Sequence, residues 1–465
     1  MKRWTSSVIS TLALGASIGA YAQGCGTGGG VTVCLTATGT ASHVELSWTA
    51  DKPITNVQIL RDKDSDPDGR KRLAKVGKNV RNYVDEGAVA GKPYWYWIKF
   101  SVDGQSYDSN AAATARAGMR DMTSLQLSAK MAPGWNLGNT LEAIGGETAW
   151  GNPKANQAIM DGIKAAGFKS VRIPVSWKQY ADANDNISAS WMARVTEVVN
   201  YARNAGLYTI INIHWDGGWM QPTYSQQAMV NARIAKFWTQ IANNFKTYDD
   251  YLLFAGTNEV MVDGDYGPPT VEYYTVQNSF NQTFVDAVRA TGGYNKSRHL
   301  IVQGFNTNID YTVAYFSVPK DPAAKKLMVE VHYYDPYNFT LNGSSDNIWQ
   351  WGAIADNPAH TETWANEPYV DAQMDKMKTR FMDSLGMGVL MGEYAAISRL
   401  SVDSSQRYRT YWDETITRSA AARGIVPVYW DHGYTGGDHT MGLFDRSTGA
   451  QVHTGVISAV VNAAK

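Results

Sequence analysis

Eight short apolar segments, separated by helical patterns, occupy the chain from Met119 onward. Apolar runs of this length are typical of strands that are buried on both faces of a parallel sheet. The predicted strands cover residues 134–137, 170–174, 208–214, 252–258, 300–303, 327–332, 388–393 and 426–430. Eight strands alternating with helices predict an α/β fold, a (β/α)8 TIM barrel.

Helical patterns lie between these segments. They cover residues 154–166, 189–205, 227–245, 271–290, 370–385, 404–423 and 455–464. Two of them run into glycine, at Gly167 and Gly206, which is a common helix stop. The alternative, an open doubly wound sheet, requires a glycine-rich phosphate loop after its first strand. The segment Gly134-Trp-Asn-Leu-Gly138 does not supply one.

The chain before Met119 has a different pattern. Apolar residues alternate with polar ones from about residue 32 to 117, as in Val44-Glu-Leu-Ser-Trp48 and Tyr94-Trp-Tyr-Trp-Ile98. Short strands without intervening helices predict a small N-terminal all-β sandwich. Its strands resemble those of a fibronectin type III or immunoglobulin-like module. We therefore expect a sandwich domain over residues 23–117, with a linker at 111–118, and the barrel domain over 118–465.

The N-terminus has the composition of a signal peptide. Lys2 and Arg3 precede an apolar stretch that ends in Ala20-Tyr21-Ala22, a pattern typical of a cleavage site. We expect residues 1–22 to be removed and the protein to be secreted, either to the extracellular space or to the periplasm. The apolar stretch is too short to span a bilayer stably.

Cys25 and Cys34 are the only cysteines, and both follow the predicted cleavage site. In an oxidising compartment a disulfide between them is the natural interpretation, with lipid attachment at Cys25 as the alternative. Because the barrel region contains no cysteine, thiol chemistry and cysteine-bound metal are excluded there.

The amino-acid composition restricts the classes of molecule that this protein could bind. The chain has 42 Lys+Arg against 43 Asp+Glu, so no basic field marks it for nucleic acid or an anionic membrane surface. It also has 16 Trp and 26 Tyr, and flat rings suit the apolar faces of sugars.

Polar or aromatic residues stand at the carboxyl ends of most predicted strands. Each could have a structural role alone, as a buried ion pair or a packing residue. In a barrel, however, the carboxyl ends of all strands meet at one cleft, and together these residues predict an active site there. They are Arg172, His214, Asn258, Glu259, His332, Tyr334, Glu393 and Trp430.

This set resembles the retaining glycoside hydrolases of family 5, which belong to the clan of barrel glycosidases with glutamates on the fourth and seventh strands. The resemblance covers most of residues 120–465. It is carried by Gly134-Trp-Asn-Leu-Gly-Asn-Thr-Leu-Glu142, Glu147-Thr-Ala-Trp-Gly-Asn-Pro153, Gly167-Phe-Lys-Ser-Val-Arg-Ile-Pro-Val-Ser-Trp177, Asn212-Ile-His214, Asn258-Glu259, His332-Tyr-Tyr-Asp-Pro336, Gly392-Glu-Tyr394 and Tyr429-Trp430. The opening motifs are most similar to the branch that acts on cellulose and related β-1,4-glucans.

The resemblance implies a role for each residue. Glu393 would be the nucleophile, kept ionised by Arg172 and Tyr334, and Glu259 the general acid and base with a raised pKa. Asn258 would bind the sugar 2-hydroxyl. The same family implies that His214 binds that sugar, His332 orients the catalytic groups and Trp430 forms a stacking floor.

Some positions depart from the family pattern or lie in loops around the predicted cleft. Val260 stands where proline is common, Trp215 where a second histidine is frequent, and His432 where asparagine is usual. Candidate sugar contacts are Trp215, Trp219, Tyr337, Phe339, Trp349, Trp351 and His432, with hydrophobic anchoring of the loops as the alternative for the aromatics.

No metal or other cofactor is expected, since two carboxylates suffice for retaining hydrolysis. Asp64-Ser-Asp-Pro-Asp-Gly69 matches the start of a calcium loop, but Lys75 occupies the position of the final glutamate, which favours a solvated turn.

The sequence therefore predicts a secreted, monomeric endo-β-1,4-glucanase (a cellulase) that hydrolyses internal bonds of a β-glucan with retention. Alternatives of the same chemistry are hydrolases of xyloglucan, mixed-linkage glucan (lichenase), mannan or xylan. An alternative of another class is a carbohydrate-binding protein on an inactive barrel, against which the two glutamates argue.

Overall fold

The computed structural model describes residues 22–39, 43–89, 92–115 and 118–465, and the chain divides into two compact units after residue 117. Of the predicted signal peptide, residues 1–21 lie outside the described residues, as do residues 116 and 117 of the predicted linker. Within the described ranges, no helix combines the length and the apolar character that crossing a lipid bilayer requires.

The first unit consists of antiparallel strands in two sheets, ordered β1-β2-β3-β6 and β5-β4-β7-β8, with β9 paired to β7. The strands are β1 (Ala22–Gly28), β2 (Val31–Gly39), β3 (Val44–Ala50), β4 (Thr55–Asp62), β5 (Lys71–Lys75), β6 (Asn82–Asp85), β7 (Pro93–Val102), β8 (Gln105–Asp108) and β9 (Ala112–Ala115). Buried and less buried side chains alternate along β2 and β3, as the two-residue period predicts.

Both sheets contribute to one hydrophobic core. Leu35 and Trp48 from the first sheet are buried in the same cluster as Ile59, Tyr96 and Phe100 from the second. The strand-rich architecture is compatible with the predicted sandwich. A disulfide joins Cys25 to Cys34, which lie opposite each other in the β1–β2 register.

The second unit is a closed barrel of eight parallel strands in sequence order, so the predicted fold class is confirmed. The strands are β10 (Gly134–Asn136), β11 (Ser170–Ile173), β12 (Tyr208–Asn212), β13 (Leu252–Ala255), β14 (Leu300–Gln303), β15 (Leu327–His332), β16 (Gly388–Tyr394) and β17 (Val426–Tyr429). Pairing of Gly134 with Val428 closes the barrel. All residues in these strands are buried, which explains why the sequence shows continuous apolar runs there.

Helices cover the barrel and account for the predicted helical patterns. They are α1 (Ser124–Ser128), α2 (Gln157–Ala166), α3 (Ala189–Asn204), α4 (Tyr224–Asn244), α5 (Val271–Ala290), α6 (Ile309–Tyr315), α7 (Tyr337–Thr340), α8 (Glu367–Met377), α9 (Ser405–Ala422) and α10 (Thr454–Ala463). α2 begins three residues later than expected because Asn156 caps it, accepting from the Ile159 N–H. The predicted helix 370–385 is instead α8 followed by a π-helical segment, Lys378–Asp383.

Arg298 ties the end of α4 to the start of β13. Its buried guanidinium donates to the carbonyl oxygens of Asp249 and Leu252, at 3.0 and 2.6 Å, and to two more carbonyls in the turn after α4, those of Phe245 and Tyr248. Backbone oxygens at a helix end need donors when they are buried. One side chain thus donates to four backbone carbonyls, of which those of Phe245 and Asp249 also accept a backbone N–H.

We expect Arg298→Met to lower the free energy of unfolding by about 3–5 kcal/mol, because it removes the hydrogen bonds that one buried guanidinium gives to four backbone carbonyls. Urea unfolding followed by tryptophan fluorescence measures this change. Arg407→Met is the matched control: it removes an ion pair to Asp356 in which both groups are exposed, and it should change stability little. Equal effects of the two substitutions on the free energy of unfolding would contradict the stabilising role of the buried Arg298 hydrogen bonds.

Candidate active site

The carboxyl ends of the barrel strands bring Glu259 and Glu393 together. Glu259 follows β13 and Glu393 lies near the end of β16. One oxygen of each carboxylate lies within 4.8 Å of the other, and the His332 ring lies within the same distance of both. Glu393 is buried whereas the Glu259 side chain is 40% exposed, so the pair lies at the floor of an open cleft.

Arg172, on β11, is the cation at the centre of the site. Its fully buried guanidinium donates to Glu393 Oε1 at 2.9 Å and to Asn258 Oδ1 at 2.6 Å. It also donates to Asn136 Oδ1 at 3.1 Å and forms an ion pair with Glu330, with Nε 2.9 Å from Oε1. Although burial acts to lower it, the carboxylates raise the pKa of Arg172, so the charge is permanent.

His332, at the end of β15, lies among carboxylates. Its Nδ1 is 2.6 Å from Glu259 Oε1 and 3.6 Å from Glu393 Oε2, and its Nε2 is 3.3 Å from Glu330 Oε1. Burial acts to lower the pKa of His332, but the negative charges of Glu393, Glu259 and Glu330 raise it to about 9. The ring is therefore an imidazolium at neutral pH and donates on both sides.

Glu393 receives two hydrogen bonds, one from β11 and one from the segment that follows β15. Arg172 donates to Oε1, and the Tyr334 hydroxyl donates to Oε2 at 3.0 Å. Burial raises the pKa of Glu393, while the charges of His332 and Arg172 act to lower it. The two cations thus oppose the cost of burying this carboxylate, although burial has the larger effect.

Glu330 and Gln303 belong to the site although the sequence did not single them out. Glu330 is buried on β15, two residues before His332, and Gln303 on β14 donates to its Oε2 at 2.6 Å. Alternate residues of a strand point to the same side, so Glu330 shares the face of His332. A glutamate inside the apolar run Leu327–His332 was the available signal.

The remaining predicted strand-end residues also face the cleft. Asn258 accepts from Arg172 with its oxygen, which leaves its amide nitrogen to donate to a ligand. The His214 ring lies parallel to Trp430, with centroids 5.8 Å apart. Burial and the charge of Arg172 hold the pKa of His214 well below its usual value, so this ring is neutral. Asn212 Nδ2 lies 3.2 Å from His214 Nδ1, which places the ring proton on Nε2.

Two cavities flank Glu259, with volumes of about 290 and 310 Å³. Both are lined by Glu259, Met261 and Tyr266, and Tyr266 is 80% exposed. The first extends past His332 and Tyr334 towards α6, and the second extends past His214 and Trp215. Tyr266 and Met261 therefore form a ridge between them. The loop after β13 has no apolar period, so no pattern in the sequence marks this ridge.

The candidate loop residues have different surroundings. Trp215 is half exposed and lines the second cavity, and Tyr337 is exposed on α7. Trp219 donates to Asp216 and packs edge-on against Phe237.

Three further candidate sugar contacts are packed against the protein. Trp349 packs edge-on against Tyr408. Trp351 and Phe339 are each 1% exposed, so for these two the structure favours the alternative, hydrophobic anchoring of the loop.

His432 also differs from its expected surroundings. Its Nδ1 lies 3.2 Å from the backbone N–H of Tyr434, and its Nε2 lies 3.1 Å from that of Met441. Both ring nitrogens thus face the backbone of its own segment. This histidine stabilises the loop after β17, next to Trp430.

A metal ion bound between Glu259, His332 and Glu393 would have to displace the ion pairs that His332 forms with the two carboxylates. Among the described residues, only Glu259, His332 and Glu393 bring three potential donor atoms within 4.8 Å of one another. An imidazolium that donates from both nitrogens has no lone pair for a metal. In the sandwich, Asp64 and Asp66 each accept a backbone N–H two residues on, as expected for a solvated turn.

Comparisons with known proteins agree with this geometry. Residues 136–436 match the family model described as Cellulase (glycosyl hydrolase family 5). The chain is 41% identical over 397 residues to Endoglucanase A of Paenibacillus barcinonensis, covering 80% of this chain and 97% of the relative. It is 42% identical over 375 residues to a xyloglucan-specific endo-beta-1,4-glucanase of Bacteroides ovatus, covering 77% and 73%. A solved Bacteroides ovatus GH5 xyloglucanase in complex with a XXXG heptasaccharide superposes with a TM-score of 0.71 at 35% identity, covering 92% of this chain and 97% of that chain.

The structure predicts that the stability supplied by Arg172 depends on pH. Burial acts to raise the pKa of Glu330, but Arg172 and His332 lower it below its usual value of 4.5. A carboxylate that is more acidic in the folded state adds stability above its unfolded pKa and loses it as the pH falls through the folded pKa. We expect Arg172→Met to cost about 3–5 kcal/mol of unfolding free energy at pH 7 and clearly less at pH 4.

Urea unfolding at the two pH values measures this difference. Arg172→Lys, which retains the charge, is the control and should show a weaker dependence on pH. A penalty of the same size at both pH values would show that Arg172 acts through packing instead of charge.

Proposed function

The chain belongs to glycosyl hydrolase family 5, and on this premise we propose that it is a retaining endo-β-1,4-glucanase. The observation that carries the proposal is the short distance between one oxygen of Glu259 and one of Glu393, within 4.8 Å. Retaining glycosidases place their carboxyl groups about 5–5.5 Å apart, whereas inverting enzymes leave about 6.5–9.5 Å for a water molecule. An inactive sugar-binding barrel would have no use for this pair.

In the proposed mechanism Glu393 attacks the anomeric carbon while Glu259 donates a proton to the departing glycosidic oxygen. The product of this step is a covalent glycosyl-enzyme. Glu259, now ionised, takes a proton from water, and the oxygen of that water attacks the same carbon and releases Glu393. The partly exposed Glu259 is placed to meet both the leaving group and water.

The surrounding residues support the same step. Arg172 and Tyr334 hold Glu393 at a fixed orientation for attack. The Asn258 amide is placed to donate to the sugar 2-hydroxyl, a bond that strengthens in the transition state. The neutral His214 and the parallel Trp430 would bind the same sugar by a hydrogen bond and by stacking.

We expect Glu393→Ala to abolish turnover of a soluble β-1,4-glucan, because no covalent intermediate can form. Azide fits the space left by the carboxylate and should restore cleavage of an activated aryl glucoside, yielding a glycosyl azide of inverted anomeric configuration. Proton NMR of the product identifies the anomer. Asp356→Ala is the control. It removes an exposed carboxylate from the loop between α7 and α8 and should retain wild-type turnover. Unchanged turnover in Glu393→Ala would contradict the assignment.

The two cavities beside Glu259 favour a branched glucan as substrate. The Tyr266–Met261 ridge divides the space next to the acid group, so that a main chain could follow one cavity and a side chain the other. Relatives named as xyloglucanases agree with this arrangement. We therefore propose xyloglucan, besides unbranched β-1,4-glucan, as a substrate.

We expect the wild type to cleave xyloglucan, carboxymethylcellulose and barley β-glucan, and to leave xylan largely intact. Tyr266→Ala should lower kcat/KM on xyloglucan by about tenfold, the effect of losing roughly 1.4 kcal/mol of ring stacking, and should change the unbranched polymer less. Tyr266→Phe retains the ring and serves as the control. Equal losses of kcat/KM on both polymers would show that Tyr266 does not contact the side chains of xyloglucan.

The barrel unit, the N-terminal unit and the predicted signal peptide have separate roles in this proposal. We assign the activity to residues 118–465, and we propose that residues 23–117 form a fibronectin III or immunoglobulin-like module that acts as a spacer or docking domain. Export after cleavage of residues 1–22 agrees with the disulfide between Cys25 and Cys34, since disulfides persist in oxidising compartments. We further propose that the exported protein is a monomer.

A further inference from the structure

We propose that Glu330 is a positioning residue for the two catalytic glutamates: it holds Arg172 and His332 in place and sets the pH range in which the enzyme works. This inference rests on the proposed function. Glu330 does not reach the cleft, because its side chain is completely buried. It acts through the two cations that contact Glu259 and Glu393.

Glu330 has a partner at each oxygen. Its Oε1 lies 2.9 Å from Arg172 Nε and 3.3 Å from His332 Nε2, and its Oε2 accepts from Gln303 at 2.6 Å. Gln303 is fixed in turn, because its own oxygen accepts from the backbone N–H and the hydroxyl of Thr257, both at 3.0 Å. The carboxylate is therefore held on three sides by groups from β11, β14 and its own strand.

The backbone of β16 leaves room for this carboxylate. A Cβ on Gly392 would lie 1.9 Å from Glu330 Oε1, a separation that no side chain tolerates. Gly392 immediately precedes Glu393, so the strand that carries the nucleophile approaches the barrel interior closely only because that residue has no side chain. The glycine and the buried glutamate thus form one structural unit.

The two ring nitrogens of His332 face carboxyl groups on opposite sides, so a ring that carries two protons can donate to both. Glu330 supplies the anion on the side away from the cleft, and Glu259 lies at the other nitrogen. The charged or titratable groups that face this ring are Glu259 from the end of β13, Glu393 from β16, Arg172 from β11, His214 after β12, and Glu330 and Tyr334 from its own segment. Glu330 is ionised at neutral pH, because Arg172 and His332 hold its pKa below the usual value despite its burial.

A fixed negative charge raises the proton affinity of every group around it. Removing the charge of Glu330 should therefore lower the pKa of His332 and the pKa of Glu393, which both lie close to it. The acidic limb of the pH profile reports protonation of the nucleophile, and the alkaline limb reports loss of the proton that the acid must donate. Both limbs should move to lower pH together.

The test compares pH profiles of kcat/KM on a soluble β-glucan. We expect Glu330→Gln, which retains the shape but loses the charge, to move both limbs to lower pH by about one unit, as expected for a charge at this distance. Glu330→Asp retains the charge and should keep both limbs near their wild-type positions. Thr257→Val removes an uncharged hydroxyl from the same polar layer and should also leave the limbs in place, whatever it does to the rate.

A purely structural role for Glu330 would lower kcat in Glu330→Gln and leave both limbs unmoved, and this result would overturn the inference. The proposed function would fail differently, through a wild type that cleaves no β-glucan. A second measurement needs no foldable Glu330 variant. In 15N-histidine NMR of the wild type, the ring assigned to His332 by its loss in His332→Gln should still carry two protons at pH 7.5, and a singly protonated ring there would also overturn the inference.

Discussion

The site depends on burying the Arg172 guanidinium with all of its partners in place. Those partners come from four other strands or strand ends: Asn136, Asn258, Glu330 and Glu393. A buried charge is tolerated only where hydrogen bonds and opposite charges replace its water. The barrel must therefore close with these strand ends in register, and the same requirement aligns Glu393, the proposed nucleophile.

Asn136 shows how the fold and the site are coupled. Its oxygen accepts from Arg172, and its amide nitrogen donates to the Gly392 carbonyl at 2.8 Å and lies 3.3 Å from the carbonyls of Val428 and Tyr429. One side chain on the first barrel strand thus links the second, seventh and eighth strands at their carboxyl ends. A shift of any of these strands would change the distance between Arg172 and Glu393.

The sequence was sufficient for the barrel because burial on both faces gives each strand a continuous apolar run, as in Leu300–Gln303 and Leu327–His332, whose bounds match the prediction. Residues at the ends of such runs could also be placed, since parallel strands share one carboxyl edge. Loop aromatics could not be placed in this way. Trp215 lines a cavity and Trp351 is buried, yet both are tryptophans in segments without a period. Only the folded chain separates a ligand contact from an anchor.

The charges of the cluster show what Glu330, the third carboxylate beside Glu259 and Glu393, contributes. In the proposed mechanism Glu259 carries a proton before the first step, and Glu330 and Glu393 balance Arg172 and His332, so the net charge is zero. Afterwards Glu259 has given up its proton and Glu393 is an ester, so Glu259 and Glu330 balance the same two cations. The first step thus moves a negative charge from one glutamate to the other without changing the total. Without Glu330 the cluster would carry a net positive charge in both states, which opposes the positive charge that develops on the sugar in the transition state.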